Sequence, residues 1–145
     1  MTNFNKCKVK IIFKYHSCNN KLMTVLVNDI LLKPSDNNYA IFEREINLPT
    51  ELVIKTAGKN HKYDTKIDAD GNIYEDLAVQ IESISLDSFE LSDVYLHQKI
   101  KILTESGDEY TTSYFGFNGT IMLNFSESNV FSQVLKENTQ CIKIY

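Results

Sequence analysis

The chain has 145 residues, 43% hydrophobic and 23% charged, a balance that supports one folded domain and argues against a disordered chain. Its net charge of −4 conceals an asymmetry, since residues 1–60 carry nine Lys/Arg against five Asp/Glu while residues 61–110 carry four against twelve. An acidic middle without an arginine cluster argues against nucleic acid as a partner, and no apolar run approaches the length of a membrane span.

Three cysteines, Cys7, Cys18 and Cys141, are odd in number and lack CxxC spacing, so reduced thiols are expected rather than a disulfide framework or a zinc site. The opening Met1-Thr-Asn-Phe-Asn-Lys6 lacks the apolar region of a signal peptide.

In chain order, Cys7 to Tyr15 alternates strictly. Cys7, Val9, Ile11, Phe13 and Tyr15 share one face, and Lys8, Lys10 and Lys14 share the other, which predicts a strand whose lysines solvate a sheet edge. Met23–Val27 and Ile30–Leu32 flank Asn28-Asp29, a pair that tolerates the positive φ of a tight hairpin. Tyr39–Leu48 alternates again, and Leu52–Thr56 follows the Pro49-Thr50 turn.

Val79 and Ile81 have one parity and Ile84 and Leu86 the other, so a bulge is expected near Glu82-Ser83 in the strand Ala78–Leu86. Asp93–Leu96 is expected to be a short strand. Lys99–Thr104 and Tyr110–Tyr114 read as a hairpin around Ser106–Glu109, and Ile121–Phe125 and Ile142–Tyr145 read as further strands. Only Asn129–Lys136 has helical character. Roughly nine short strands at these intervals predict a single all-β domain over residues 1–145, an antiparallel β-sandwich of jelly-roll type with one short helix or turn near residues 129–136.

Two stretches are chemically distinctive. Asp64, Asp68, Asp70, Asn72, Glu75 and Asp76 supply carboxylate and amide oxygens around one Asp-Gly turn, the donor type that calcium takes. Gly71 directly follows Asp70, which is not the spacing of an EF-hand, and the plain alternative is a solvated hairpin tip with Asp-Gly as a type I′ pair. The second stretch, Tyr110 to Gly119, offers Tyr110, Tyr114, Phe115 and Phe117 for stacking on a sugar or a partner protein, with Asn118 as a further binding residue, against the alternative that Phe115 and Phe117 seal the core. His16, His61 and His97 are dispersed. No nucleophile signature, phosphate loop or paired-carboxylate arrangement of a glycosidase is present, so no enzymatic activity is expected.

Leu22–Asp29 and Asp70–Asp87 together resemble the small calcium-dependent, xylan-binding type of carbohydrate-binding module. That resemblance implies a β-sandwich in which Asp76, with Asp70, helps to ligate calcium. Gly58-Lys59, Asp64-Thr65, the Asp-Gly turn, Leu86-Asp87 and Tyr114–Gly119 resemble small virion proteins of tailed bacteriophages. This second resemblance implies a structural protein made in the host cytoplasm and located in the virion. It would decorate the head or form part of a tail or fibre, in contact with other virion proteins, with itself, or with a host surface glycan. The leading expectation is such a virion component; the alternatives are a free-standing calcium-dependent lectin-like module and a small enzyme.

Overall fold

The structure of the protein, a computed structural model, describes residues 5–91, 100–104, 109–110 and 113–139. Thirteen strands and one helix lie among them: β1 (Lys6–His16), β2 (Thr24–Val27), β3 (Ile30–Leu31), β4 (Tyr39–Asn47), β5 (Thr50–Ala57), β6 (Thr65–Ile67), β7 (Ile73–Asp76), β8 (Ala78–Leu86), β9 (Phe89–Glu90), β10 (Ile100–Thr104), β11 (Glu109–Tyr110), β12 (Tyr114–Phe115), β13 (Gly119–Phe125) and α1 (Val130–Thr139). The expected strands Asp93–Leu96 and Ile142–Tyr145, together with His97 and Cys141, lie outside the described residues.

The strands form two antiparallel sheets, ordered β12-β8-β1-β4 and β11-β10-β13-β5-β2-β3, with β9 pairing β8 and a separate β6–β7 hairpin. The chain crosses between the sheets after β1, β3 and β4, from β5 by way of the β6–β7 hairpin to β8, and again after β9, β11 and β12, which gives the jelly-roll-like winding expected of the sequence. Alternation decides what each strand buries. Cys7, Val9, Ile11, Phe13 and Tyr15 of β1 face inward and meet Leu52 and Ile54 of β5 and Ile121, Leu123 and Phe125 of β13 in one core. Each large side chain there, such as Phe13 or Phe125, stabilises the fold by roughly 1.5–3 kcal/mol relative to exposure.

Strand β1 is not an edge. It is hydrogen-bonded to β4 on one side and β8 on the other, so its lysines solvate the outer face of the first sheet instead of a sheet margin. Alternation reports which face a side chain occupies and carries no information about how many neighbours the backbone has.

The bulge inferred from parity is present. Ile12 pairs with Ser83 and Phe13 with Ile81, leaving Glu82 as the extra residue of β8. The Asn28-Asp29 turn has φ of 47° and 65° and sets Val27 opposite Ile30. Helix α1 starts one residue later than expected and runs further, to Thr139. Asn129 caps it, its Oδ1 accepting the Ser132 N–H at 2.8 Å.

Candidate binding groove

The Asp64–Leu77 stretch folds as a hairpin closed by Asp68–Asn72. The Asp68 N–H donates to the Asn72 carbonyl at 2.9 Å, and Gly71, at φ +85°, supplies the left-handed residue of the turn. Asp70 keeps a negative φ, so the Asp-Gly pair is not the type I′ turn expected. The Asp68 side chain dictates this by accepting the N–H groups of Asp70 and Asn72, both at 2.9 Å, through Oδ1.

At its base, this hairpin is tied down by two carboxylates, one buried and one partly buried, each with its own lysine. Asp64 is 1% exposed. It accepts from Lys21 Nζ at 2.6 Å, the Asn60 N–H at 2.7 Å and Asn19 Nδ2 at 3.1 Å. Chiefly because of the Lys21 ammonium, and then the Asn60 N–H, its pKa falls from 3.8 to about 2.

The second carboxylate, Asp76, sits deeper in a network. Its Oδ1 accepts from Lys59 Nζ at 2.5 Å and Thr65 Oγ1 at 2.7 Å, and its Oδ2 accepts from the Tyr114 hydroxyl at 2.7 Å. Burial pushes the Asp76 pKa up, but these hydrogen bonds outweigh it and hold the carboxyl below its ordinary value. Burial, reinforced by Asp76, raises the Tyr114 hydroxyl. Lys59 Nζ also donates to the Gly116 carbonyl at 2.8 Å.

Local backbone geometry delivers Lys59 to this position. Gly58, at φ +98°, turns the chain out of β5. The Asn118 side chain then clamps the next residue: Lys59 N–H donates to Asn118 Oδ1 at 2.9 Å, and Asn118 Nδ2 donates to the Lys59 carbonyl at 2.8 Å.

The six residues expected to ligate calcium therefore do not form one shell. Asp64 and Asp76 point inward to separate lysines, and Glu75 accepts from the Asn19 N–H and pairs with Lys66 at 3.4 Å. Asp68, Asp70 and Asn72 form the exposed tip. Among the described residues no three His, Cys, Asp or Glu groups are placed to hold a metal. As arranged, this donor set does not fit a calcium ion, because ammonium groups already hold the two inner carboxylates.

The same network walls a groove of about 490 Å³ between the end of the first sheet and the hairpin, lined by His16, Ser17, Asn38, Tyr74, Asp76 and Tyr114 among others. Tyr74 is 65% exposed and Tyr114 38%. The His16 ring lies 5.5 Å from that of Tyr114 at 47°, with Nε2 and Gln80 Oε1 2.9 Å apart. The outer face of the same sheet continues into an open depression of about 640 Å³ lined by Lys8, Lys10, Ile12 and Ser83 among others.

Of the five aromatic-stretch candidates, the groove receives Tyr114. Phe115 is fully buried in the core, and Phe117 packs edge-on against it at 6.0 Å. Both are packing residues: adjacent side chains of β12 point to opposite faces of the sheet, which turns Phe115 inward from Tyr114, and Phe117, beyond the strand, is partly buried against the same core. Asn118 serves the Lys59 clamp. Tyr110 lies on β11, and its side chain is outside the described ones. Sequence reasoning missed His16, Tyr74, Gln80 and Lys59. Tyr74 carried a signal, as an aromatic flanked by acids beside a turn; the others acquire their places only through strand register.

No family model matches the chain, and no curated protein matches it. Two solved structures do. One, of vCBM60, is described with two families of calcium-dependent carbohydrate-binding modules linked by circular permutation. It has a TM-score of 0.47 and 8% identity, covering 81% of this chain and 90% of that one. The other is vCBM60 in complex with galactobiose, with a TM-score of 0.39 and 10% identity, covering 81% and 97%. At these scores the likeness carries no weight for ligand or metal.

Proposed function

We propose that this β-sandwich is a non-catalytic glycan-binding protein whose ligand lies in the groove between His16, Tyr74 and Tyr114. The observation that carries this reading is the groove's composition: exposed tyrosine faces set beside a few fixed polar groups. Sugar rings present apolar C–H faces and directional hydroxyls, so they need a flat aromatic and nearby hydrogen-bonding groups that do not move. Tyr114 is held at its hydroxyl by Asp76, and Asp76 by Lys59 and Thr65, so ordering of the wall precedes binding and is not charged to it. Because the inner carboxylates are matched by lysines, binding proceeds without a divalent cation.

Titration calorimetry against a panel of neutral and acidic oligosaccharides tests the proposal. Wild-type protein binds at least one class, Tyr74→Ala weakens it tenfold or more, and EDTA has no effect. The proposal is lost if no class binds, or if the affinity is indifferent to Tyr74 and Tyr114.

A second reading, a structural protein acting through protein contacts as a virion component would, draws on a separate feature. Phe89, Phe131, Val134 and Leu135 frame an apolar pocket of about 120 Å³, and Phe131 is 76% exposed. Under this reading the protein sediments with particles or self-associates, and Phe131→Ser abolishes the association. A monomer that never enters particles overturns it.

A further inference from the structure

We infer that the outer face of the first sheet, beside the groove, carries a subsite for a carboxylate-bearing sugar, centred on Lys14. This inference rests on the glycan-binding reading and names the chemical class of the ligand. The pairing register places four outward side chains in one row across the sheet. Tyr39 of β4 is opposite Lys14 of β1, Lys14 is opposite Gln80 of β8, and Gln80 is opposite Tyr114 of β12. The inward-facing neighbours confirm the orientation, since Ala40, Phe13, Val79 and Phe115 are all buried in the core.

Four adjacent strands put about 14 Å between the ends of that row, a length suited to a short oligosaccharide. Both ends are aromatic and 38% exposed, Tyr39 at one and Tyr114 at the other. Between them are an ammonium and an amide. Tyr114 also lines the groove, so the row and the groove form one continuous surface.

The charge pattern along β1 identifies what the middle of the row attracts. Lys6 and Lys8 pair with Glu45 and Glu43 at 3.3 and 3.7 Å. Towards the groove the ion pairs run out: among the described residues neither Lys10, although opposite Glu43, nor Lys14 has a carboxylate within ion-pair distance, and the β4 residues opposite Ile12 and Lys14 are Ile41 and Tyr39. Lys14 is half-buried, its aliphatic stem flanked by Tyr39 and Gln80, with its ammonium left to seek an anion. A uronic acid residue supplies a carboxylate for Lys14, hydroxyls for Gln80 and ring faces for the tyrosines. A neutral sugar leaves the ammonium unmatched.

The experiment compares oligogalacturonate with the neutral galacto-oligosaccharide of equal length by titration calorimetry, at low and at 0.5 M salt. Wild-type protein is expected to prefer the acidic ligand by about tenfold at low salt, the size of one charge-assisted hydrogen bond. High salt and Lys14→Gln each erase that preference, bringing the acidic ligand down to the affinity of the neutral one, and Tyr39→Ala weakens both ligands. Unchanged thermal melting of Lys14→Gln certifies its fold. Equal affinity for the two ligands, or a preference that survives Lys14→Gln, overturns the inference; if Tyr74→Ala still abolishes neutral binding, the glycan-binding reading stands without it. Binding of neither ligand overturns the inference as well, and the glycan-binding reading then stands or falls with the wider oligosaccharide panel.

Discussion

Tyr15, near the C-terminal end of β1, is 2% exposed, and its hydroxyl has no hydrogen-bond partner among the described residues. Burial pushes its pKa to about 12. An unsatisfied buried hydroxyl costs stability, so Tyr15→Phe is expected to leave the urea midpoint unchanged or raise it, by up to about 1 kcal/mol. Loss of stability would show that the hydroxyl is satisfied after all. The opposite holds for Lys59 and Asp76, whose side chains are 3% and 15% exposed. Either Lys59→Met or Asp76→Ala strands a buried partner and costs about 3–5 kcal/mol, and the double variant costs much less than the sum. Additive effects in that double-mutant cycle would mean the pair is not coupled.

Asp64 sets an acid limit at the same scale. Its folded pKa is depressed, so its contribution is fully present above the unfolded value of 3.8 and is lost as pH falls towards about 2. The urea midpoint should fall across that window in wild-type protein and fall less steeply in Asp64→Asn; parallel profiles would exclude Asp64 as the source. None of these partnerships is legible locally. Lys21 and Asp64, or Lys59 and Asp76, meet because the fold brings together loops and strand ends distant in the chain, and their sequence distances match no helical or hairpin spacing.

At the scale of elements, β12 turns on Gly116. A Cβ there would lie 3.0 Å from Asp76 Oδ2, 3.3 Å from Lys59 Nζ and 3.3 Å from the Tyr114 ring. Gly116→Ala therefore crowds the most constrained groups of the groove wall and is expected to destabilise by about 1–3 kcal/mol. It should weaken ligand binding as well, because Tyr114 must shift. Normal melting and normal binding would show that the wall yields easily. Elements were the readable level of this chain. Parity located the bulge at Glu82, turn chemistry located Asn28-Asp29, and alternation separated the faces of β1. The Asp68–Asn72 turn defeated the dipeptide rule because one aspartate side chain, accepting two N–H groups, selected another geometry.

Across the whole molecule, the charge asymmetry is an internal complementarity. Lys21 and Lys59, from the basic first part, neutralise Asp64 and Asp76 of the acidic middle. Reading the acids alone suggested a cation site, and only the three-dimensional arrangement reveals that part of the counter-charge is covalently supplied. Millimolar calcium is accordingly expected to leave the melting temperature unchanged, since a ligand stabilises only through a site it binds in the native state. A rise of several degrees that is abolished by Asp76→Ala would restore the calcium reading. The sandwich itself was legible because β-branched and aromatic residues alternate along most of its strands. Which strands neighbour one another was not, since pairing partners leave no mark on a single sequence.

The Asn118 clamp on Lys59 joins segments 59 residues apart. Until β12 and β13 have docked, Lys59 has neither Asn118 nor Gly116 to hold it, and the groove lacks its Tyr114 wall. Such non-local closure belongs to the slow end of single-domain folding. The groove is thus complete only once segments far apart in sequence have docked: without β12 and β13 the hairpin acids stand without the Tyr114 wall.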